Sequence, residues 1–181
     1  FFNNVFKRKV LNHKFTKNKK IRIGYISNNF VMHPVSFLLE KVIEIHNRKE
    51  FEIYGYSINL REDNVTKKFY KSFDVFRNIS KISDEKANII IRKDEIDILI
   101  DLMGYTPGSR MGILSSRAAP IQINYLAYPA TTGSDQIDYI ISDENVIPID
   151  KQKNFSEKVV YLPKTFICFN DSTQISNNLR E

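Results

Sequence analysis

Along this chain, apolar and polar positions alternate between two periods, and the change of period marks the elements. Two near-continuous apolar runs, 96–102 and 121–127, have strand length and each feeds a loop of Gly, Pro, Tyr and Thr. The segment between them, 109–117, has room only for a brief helix, so this stretch reads strand, loop, helix, strand. Upstream, Ile21–Ser27 (IRIGYIS) is rich in β-branched residues and predicts a strand that leaves into a loop at Asn28, Asn29 and Pro34. Beyond Pro34 the period becomes helical: Val35, Leu38, Leu39, Val42 and Ile43 fall at i, i+3, i+4, i+7 and i+8, on one face. Pro34 then takes the first helical position, where its missing N–H costs nothing, and His33 falls at or beside the N-cap.

The remaining pattern repeats the alternation. Residues 51–59 predict a second strand, 61–64 a polar turn, 65–73 a short helix and 75–79 a minor strand. Ser83 followed by Asp84 and Glu85 opens a helix to about Lys93, with acids where the macrodipole favours them. Residues 138–142 and 158–162 are two further short strands, punctuated by Pro148 and Pro163. Strands alternating with helices predict an α/β fold with a mainly parallel, Rossmann-like sheet and helices on both faces. In such a sheet every strand-to-helix loop leaves from the carboxyl edge, where ligands bind. The loops at 28–34, 60–64, 102–109, 127–134 and 143–148 should therefore share one rim, making neighbours of His33, Tyr105, Tyr128 and Thr132.

Composition changes this picture little. A chain of 181 residues, 42% hydrophobic and 27% charged, can bury a proper core. The apolar runs are too short to span a bilayer, no signal-peptide succession opens the chain, and the single Cys168 cannot form an internal disulfide, so a cytoplasmic setting without membrane is expected. The net charge of +6 invites a nucleic-acid partner, but its distribution argues otherwise. Residues 1–39 hold eight basic residues and no acid; the other 19 basic residues meet 21 acidic ones. The charge belongs to a basic leader, residues 1–20, and not to the body.

Among chemistry-bearing residues His33 comes first. The positive end of the helix dipole favours a neutral ring, free to act as acceptor or base; the bland alternative is a simple helix cap, and spacing leaves both open. Gly104, Gly108 and Gly112 match neither the dinucleotide fingerprint nor a P-loop and suit turns. Asp101, at the end of its strand, suits a carboxylate satisfied by loop N–H groups. The loop Tyr128-Pro129-Ala130-Thr131-Thr132-Gly133 is either a structured turn or a wall of hydroxyls and N–H groups suited to a sugar. No Asp-x-Asp pair, Cys–His cluster or G-x-S-x-G occurs, so metal and serine-hydrolase chemistry find no motif.

Four blocks carry a resemblance: IRIGYISNNFVMHPVSFLLE, DEIDILIDLMGYTPGSR, SRAAPIQINYLAYPATTGSDQIDYIISD and FSEKVVYLP. In order and spacing they resemble the N-terminal half of the catalytic region of O-GlcNAc transferases and their SPINDLY-type relatives, over roughly residues 20–170. The resemblance implies a GT-B glycosyltransferase with two Rossmann-like domains facing a cleft. It implies transfer of GlcNAc from UDP-GlcNAc to Ser or Thr of a protein acceptor, with no metal or other cofactor. GDP-fucose or UDP-glucose as donor, and a non-catalytic binding module, are the alternatives. It further implies tetratricopeptide helices upstream, the leader joining them, and residues 171–181 leading to a missing C-terminal domain that holds the nucleotide sugar. His33 matches the family's His-Pro motif and is the expected catalytic residue. Gly104, Tyr105, Tyr128, Pro129, Thr131, Thr132 and Gly133 are the expected substrate-binding positions. Two departures stand out. Phe37 occupies the place of a second histidine, and Ala130 replaces a glycine, which would strain the loop if that position needed a positive φ.

Overall fold

Seven short strands, each rich in residues that pack on a pleated surface, pair into one parallel sheet of order β3-β2-β1-β4-β5-β6-β7. The computed structural model describes residues 20–170, so the expected leader over 1–19 and the expected linker over 171–181 lie outside the described residues. The elements are β1 (Ile21–Ser27), α1 (Pro34–Ile45), β2 (Phe51–Ser57), α2 (Asn64–Ser72), β3 (Val75–Asn78), α3 (Asp84–Lys93), β4 (Ile98–Asp101), α4 (Gly112–Ser115), β5 (Ile121–Asn124), β6 (Tyr139–Ser142) and β7 (Lys158–Tyr161). A 3-10 turn at Ile149–Asn154, which periodicity did not signal, carries the chain from β6 to β7.

Successive residues of a central strand feed two separate cores, which is why the apolar runs are continuous. Tyr25 joins Val35, Leu39, Ile43 and Phe69 from α1 and α2. Ile26 joins Ala87, Ile91, Ile113 and Leu114 from α3 and α4. Helices α2 and α3 are capped as their sequences dictate. Asp63 accepts from Val65 N and Thr66 N at 2.8 and 3.1 Å while Thr66 Oγ1 accepts from Asp63 N, a complete capping box. Ser83 Oγ accepts from Lys86 N at 3.3 Å. Among the polar side chains that lie fully inside, Gln122 of β5 accepts from Ala118 N at 2.9 Å and donates to Leu114 O and Gln136 O at 3.0 and 2.7 Å. All its groups being paired, its burial is tolerated.

The strand order reverses between β1 and β4. In an open parallel sheet the crevice beyond the carboxyl ends at such a reversal is where ligands bind. Here that crevice lies between the loop leaving Ser27 and the loop leaving Asp101.

Candidate functional site

Side-chain oxygens and one sulfur knit the rim. Ser27, fully buried at the end of β1, accepts from Asn29 N at 2.9 Å and donates to Met103 Sδ at 3.6 Å, which Asn29 Nδ2 also reaches at 3.4 Å. Ser36 Oγ donates to Asn29 O, Thr66 Oγ1 donates to Phe30 O at 2.7 Å, and Met32 N donates to Asp63 at 2.7 Å. The loop that presents His33 is thus tied to the β4 loop, to α1 and to α2.

His33 is the N-cap of α1, in extended backbone, and its Nδ1 accepts from Val35 N at 3.2 Å. With Nδ1 accepting, the neutral ring carries its proton on Nε2, which is then a donor; an acceptor or base at Nε2 requires the cap bond to open. Phe37, one turn further on, is 49% exposed.

Across the reversal, Asp101 is buried and accepts from Met103 N at 3.1 Å and Gly104 N at 2.8 Å. Burial pushes its carboxyl up to about 7 against the opposing pull of those two N–H groups. Gly104 has φ 53°, and a Cβ on it would lie 2.5 Å from the Tyr128 side chain. The two loops touch there only because residue 104 is glycine. Tyr105 and Tyr128 meet edge to face, centroids 5.6 Å apart at 87°, and Tyr105 Oη donates to Thr132 O at 3.0 Å. Burial, with lesser contributions from Tyr128 and Glu157, raises the Tyr105 phenol, keeping it a donor.

The loop after β5 starts under strain. Leu126 has φ 78° and Ala127 N donates to Tyr125 O at 3.2 Å, a γ-turn with positive φ that a branched residue adopts at a cost. Asn124 Nδ2 then holds Tyr128 O at 2.9 Å and Ala130 O at 3.3 Å. Ala130 is not among the positive-φ residues, so the loop takes alanine without strain there. Gly133, at φ 64°, faces open space. The hydroxyls of Thr131 and Thr132 turn inward to Glu157, Tyr128 is half-buried, and Pro129 and Gly133 are the loop's exposed residues.

The structure thus brings Gly104, Tyr105, Tyr128 and Thr132 into contact or hydrogen-bond range and sets His33 on the same carboxyl edge, one loop away. Val35, two residues beyond His33, shares a core cluster with Leu102, Tyr125 and Leu126. Sequence reasoning missed Glu157, Asn124 and Arg110. Arg110 clamps the β4 loop to α3 through Asp84 at 2.8 Å and through Ile79 O and Ile82 O at 2.7 and 2.6 Å. Arg110 and Glu157 stood in blocks that carried the resemblance, which was their only signal. A concavity of about 500 Å³ lies elsewhere, between β3 and α3, lined by Ile79, Ile90 and the paired Arg77 and Asp94. Among the described residues no group of three or more metal-ligating side chains gathers, and no helix is long and apolar enough to cross a membrane.

The family model of glycosyl transferase family 41 matches residues 4–181. The chain belongs to that family. Among curated members of family 41, a probable UDP-N-acetylglucosamine--peptide N-acetylglucosaminyltransferase, SEC, of Arabidopsis thaliana is 38% identical over 157 residues, 86% of this chain and 16% of the relative. The UDP-N-acetylglucosamine--peptide N-acetylglucosaminyltransferase of Caenorhabditis elegans is 36% identical over 165 residues, 90% of this chain and 14% of that one. A solved structure of a mutant O-GlcNAc transferase from Thermobaculum terrenum superposes with a TM-score of 0.80 at 34% identity, covering 82% of this chain and 29% of the other. The family 41 chain described here therefore spans about a sixth of its curated relatives' length.

Proposed function

We propose that this is the acceptor-side catalytic domain of a protein O-glycosyltransferase that moves GlcNAc from UDP-GlcNAc to Ser or Thr, working in the cytoplasm downstream of tetratricopeptide helices. A second Rossmann-like domain of the parent protein would hold the nucleotide. The observation that carries the reading is the rim itself: a His-Pro helix start and a Tyr128–Gly133 loop locked against Tyr105, on the carboxyl edge of a family 41 sheet.

In this reading the acceptor hydroxyl attacks the anomeric carbon, the bond from that carbon to the diphosphate oxygen breaks, and the hydroxyl proton leaves. His33 is the catalytic residue on the acceptor side. Its Nε2–H orients the acceptor oxygen, and it takes the proton only by exchanging tautomer and releasing Val35 N. Tyr128, Pro129 and Gly133 form the outward wall against the sugar, Gly104 lets that wall approach, and Tyr105, Thr131 and Thr132 fix its shape.

The test is to incubate the complete parent protein with a Ser/Thr-containing acceptor peptide and, separately, UDP-GlcNAc, UDP-glucose and GDP-fucose, with and without EDTA. One N-acetylhexosamine added from UDP-GlcNAc, unaffected by chelation, is expected. Transfer from another donor alone, or none from any, would overturn the reading.

A further inference from the structure

Glu157 immediately precedes β7 and is 3% exposed, yet among the described residues it faces no Lys or Arg in an ion pair. What offsets its burial is a set of donors from one loop. Its Oε1 accepts from Thr132 N at 2.7 Å and from Thr132 Oγ1, and its Oε2 accepts from Thr131 Oγ1 at 2.7 Å and Ser156 Oγ at 3.0 Å. Four donors fill the four acceptor positions that a carboxylate offers.

The carboxylate can only accept, and the one pair here in which either hydroxyl can donate is Thr131 Oγ1 and Ser156 Oγ, 3.1 Å apart. Thr131 Oγ1 already accepts from Gly133 N at 3.1 Å and Ser156 N at 3.2 Å, which uses both its lone pairs, so its hydroxyl proton must go to an acceptor. Thr132 Oγ1 accepts from Ser134 N at 3.3 Å and likewise gives its proton to Glu157. A glutamine of the same shape would bring an NH₂ group against a hydroxyl that can only donate. With the Thr132 N–H at Oε1 and a Thr131 hydroxyl whose lone pairs are taken at Oε2, the site favours a carboxylate over an amide. From Thr132 the order passes outward: its carbonyl holds Tyr105 Oη at 3.0 Å, and Tyr105 meets Tyr128 edge to face.

We propose that Glu157 is a positioning residue of the transfer site, setting the Thr131–Gly133 backbone and, through Thr132 and Tyr105, the placement of Tyr128. This rests on the function proposed above. Glu157 touches neither sugar nor acceptor in this role; it acts through the loop.

The experiment compares wild type, Glu157→Gln, Thr131→Ala and the double variant in the complete parent protein with UDP-GlcNAc and an acceptor peptide. Hydrogen exchange of the 131–134 amides is followed in parallel. In Glu157→Gln, kcat should fall about 10–100-fold while both KM values move by less than about threefold, because a loop displaced by a fraction of an ångström misaligns the reacting groups. Exchange at the Thr132 amide should quicken. Thr131→Ala also takes the acceptor from Gly133 N and Ser156 N and so disturbs the same loop, and the double variant should lose less than the product of the two single losses. A Glu157→Gln protein that melts earlier yet turns over at the wild-type kcat would make Glu157 merely structural and overturn the proposal, as would multiplying losses in the double variant. Wild type without transfer would instead overturn the function on which the proposal rests.

Discussion

At His33 the helix cap and the proposed chemistry use different nitrogens, so one substitution can keep the first and remove the second. Asparagine is a good N-cap, and His33→Asn should hold the stability of α1 to within a few tenths of a kcal/mol. In the complete enzyme its kcat should nevertheless fall about 10²-fold, as expected when a positioned donor or base is lost. A melting curve and a turnover assay on one preparation check both, and near-normal kcat would leave His33 a cap and nothing more. Asp101 makes a prediction in pH. Its buried carboxyl, pushed up to about 7, binds a proton in the folded chain over a range where the unfolded chain, with an ordinary carboxylate, does not. Its contribution is therefore fully present at acid pH and is lost as pH rises through about 7. Stability measured in denaturant at pH 5 and pH 8 should show wild type losing on the order of 2 kcal/mol more than Asp101→Asn across that interval. Parallel profiles would mean that Asp101 is ionised throughout.

At the scale of elements, the contact between the β4 and β5 loops hangs on the missing side chain of Gly104. Gly104→Ala would press a Cβ to within 2.5 Å of Tyr128 at a φ of 53°, so the domain should lose about 1–3 kcal/mol and Tyr128 should move off its edge-to-face contact with Tyr105. Thermal melting reads the first effect and kcat of the parent enzyme the second. These elements were legible to different degrees. The helix at Pro34–Ile45 and the strand at Ile21–Ser27 were plain because their periods are local properties of a few residues. The apolar run 121–127 was read as one strand, but pairing stops at Asn124, because Leu126 turns the chain through a positive φ while remaining in the core. Hydrophobicity reports burial, not the end of a ladder. Nor could spacing show that the Thr131 and Thr132 hydroxyls face inward, since their shared partner Glu157 lies far along the chain.

At the scale of the whole molecule, the alternation of strands and helices made the parallel sheet and its shared rim legible, whereas the strand order and its reversal between β1 and β4 depend on pairings between distant residues that no local pattern reports. Along the rim the loops lean on one another, with Tyr128 half-buried against Tyr105 and with Pro129 and Gly133 exposed. In the proposed division of labour this domain carries the acceptor side and the nucleotide is held elsewhere in the parent protein. Calorimetric titration of UDP-GlcNAc into the domain alone, against the complete parent protein, tests that division directly. No saturable heat is expected from the domain at concentrations that saturate the complete protein; a dissociation constant in the low micromolar range for the domain, about −8 kcal/mol, would place the donor site here instead.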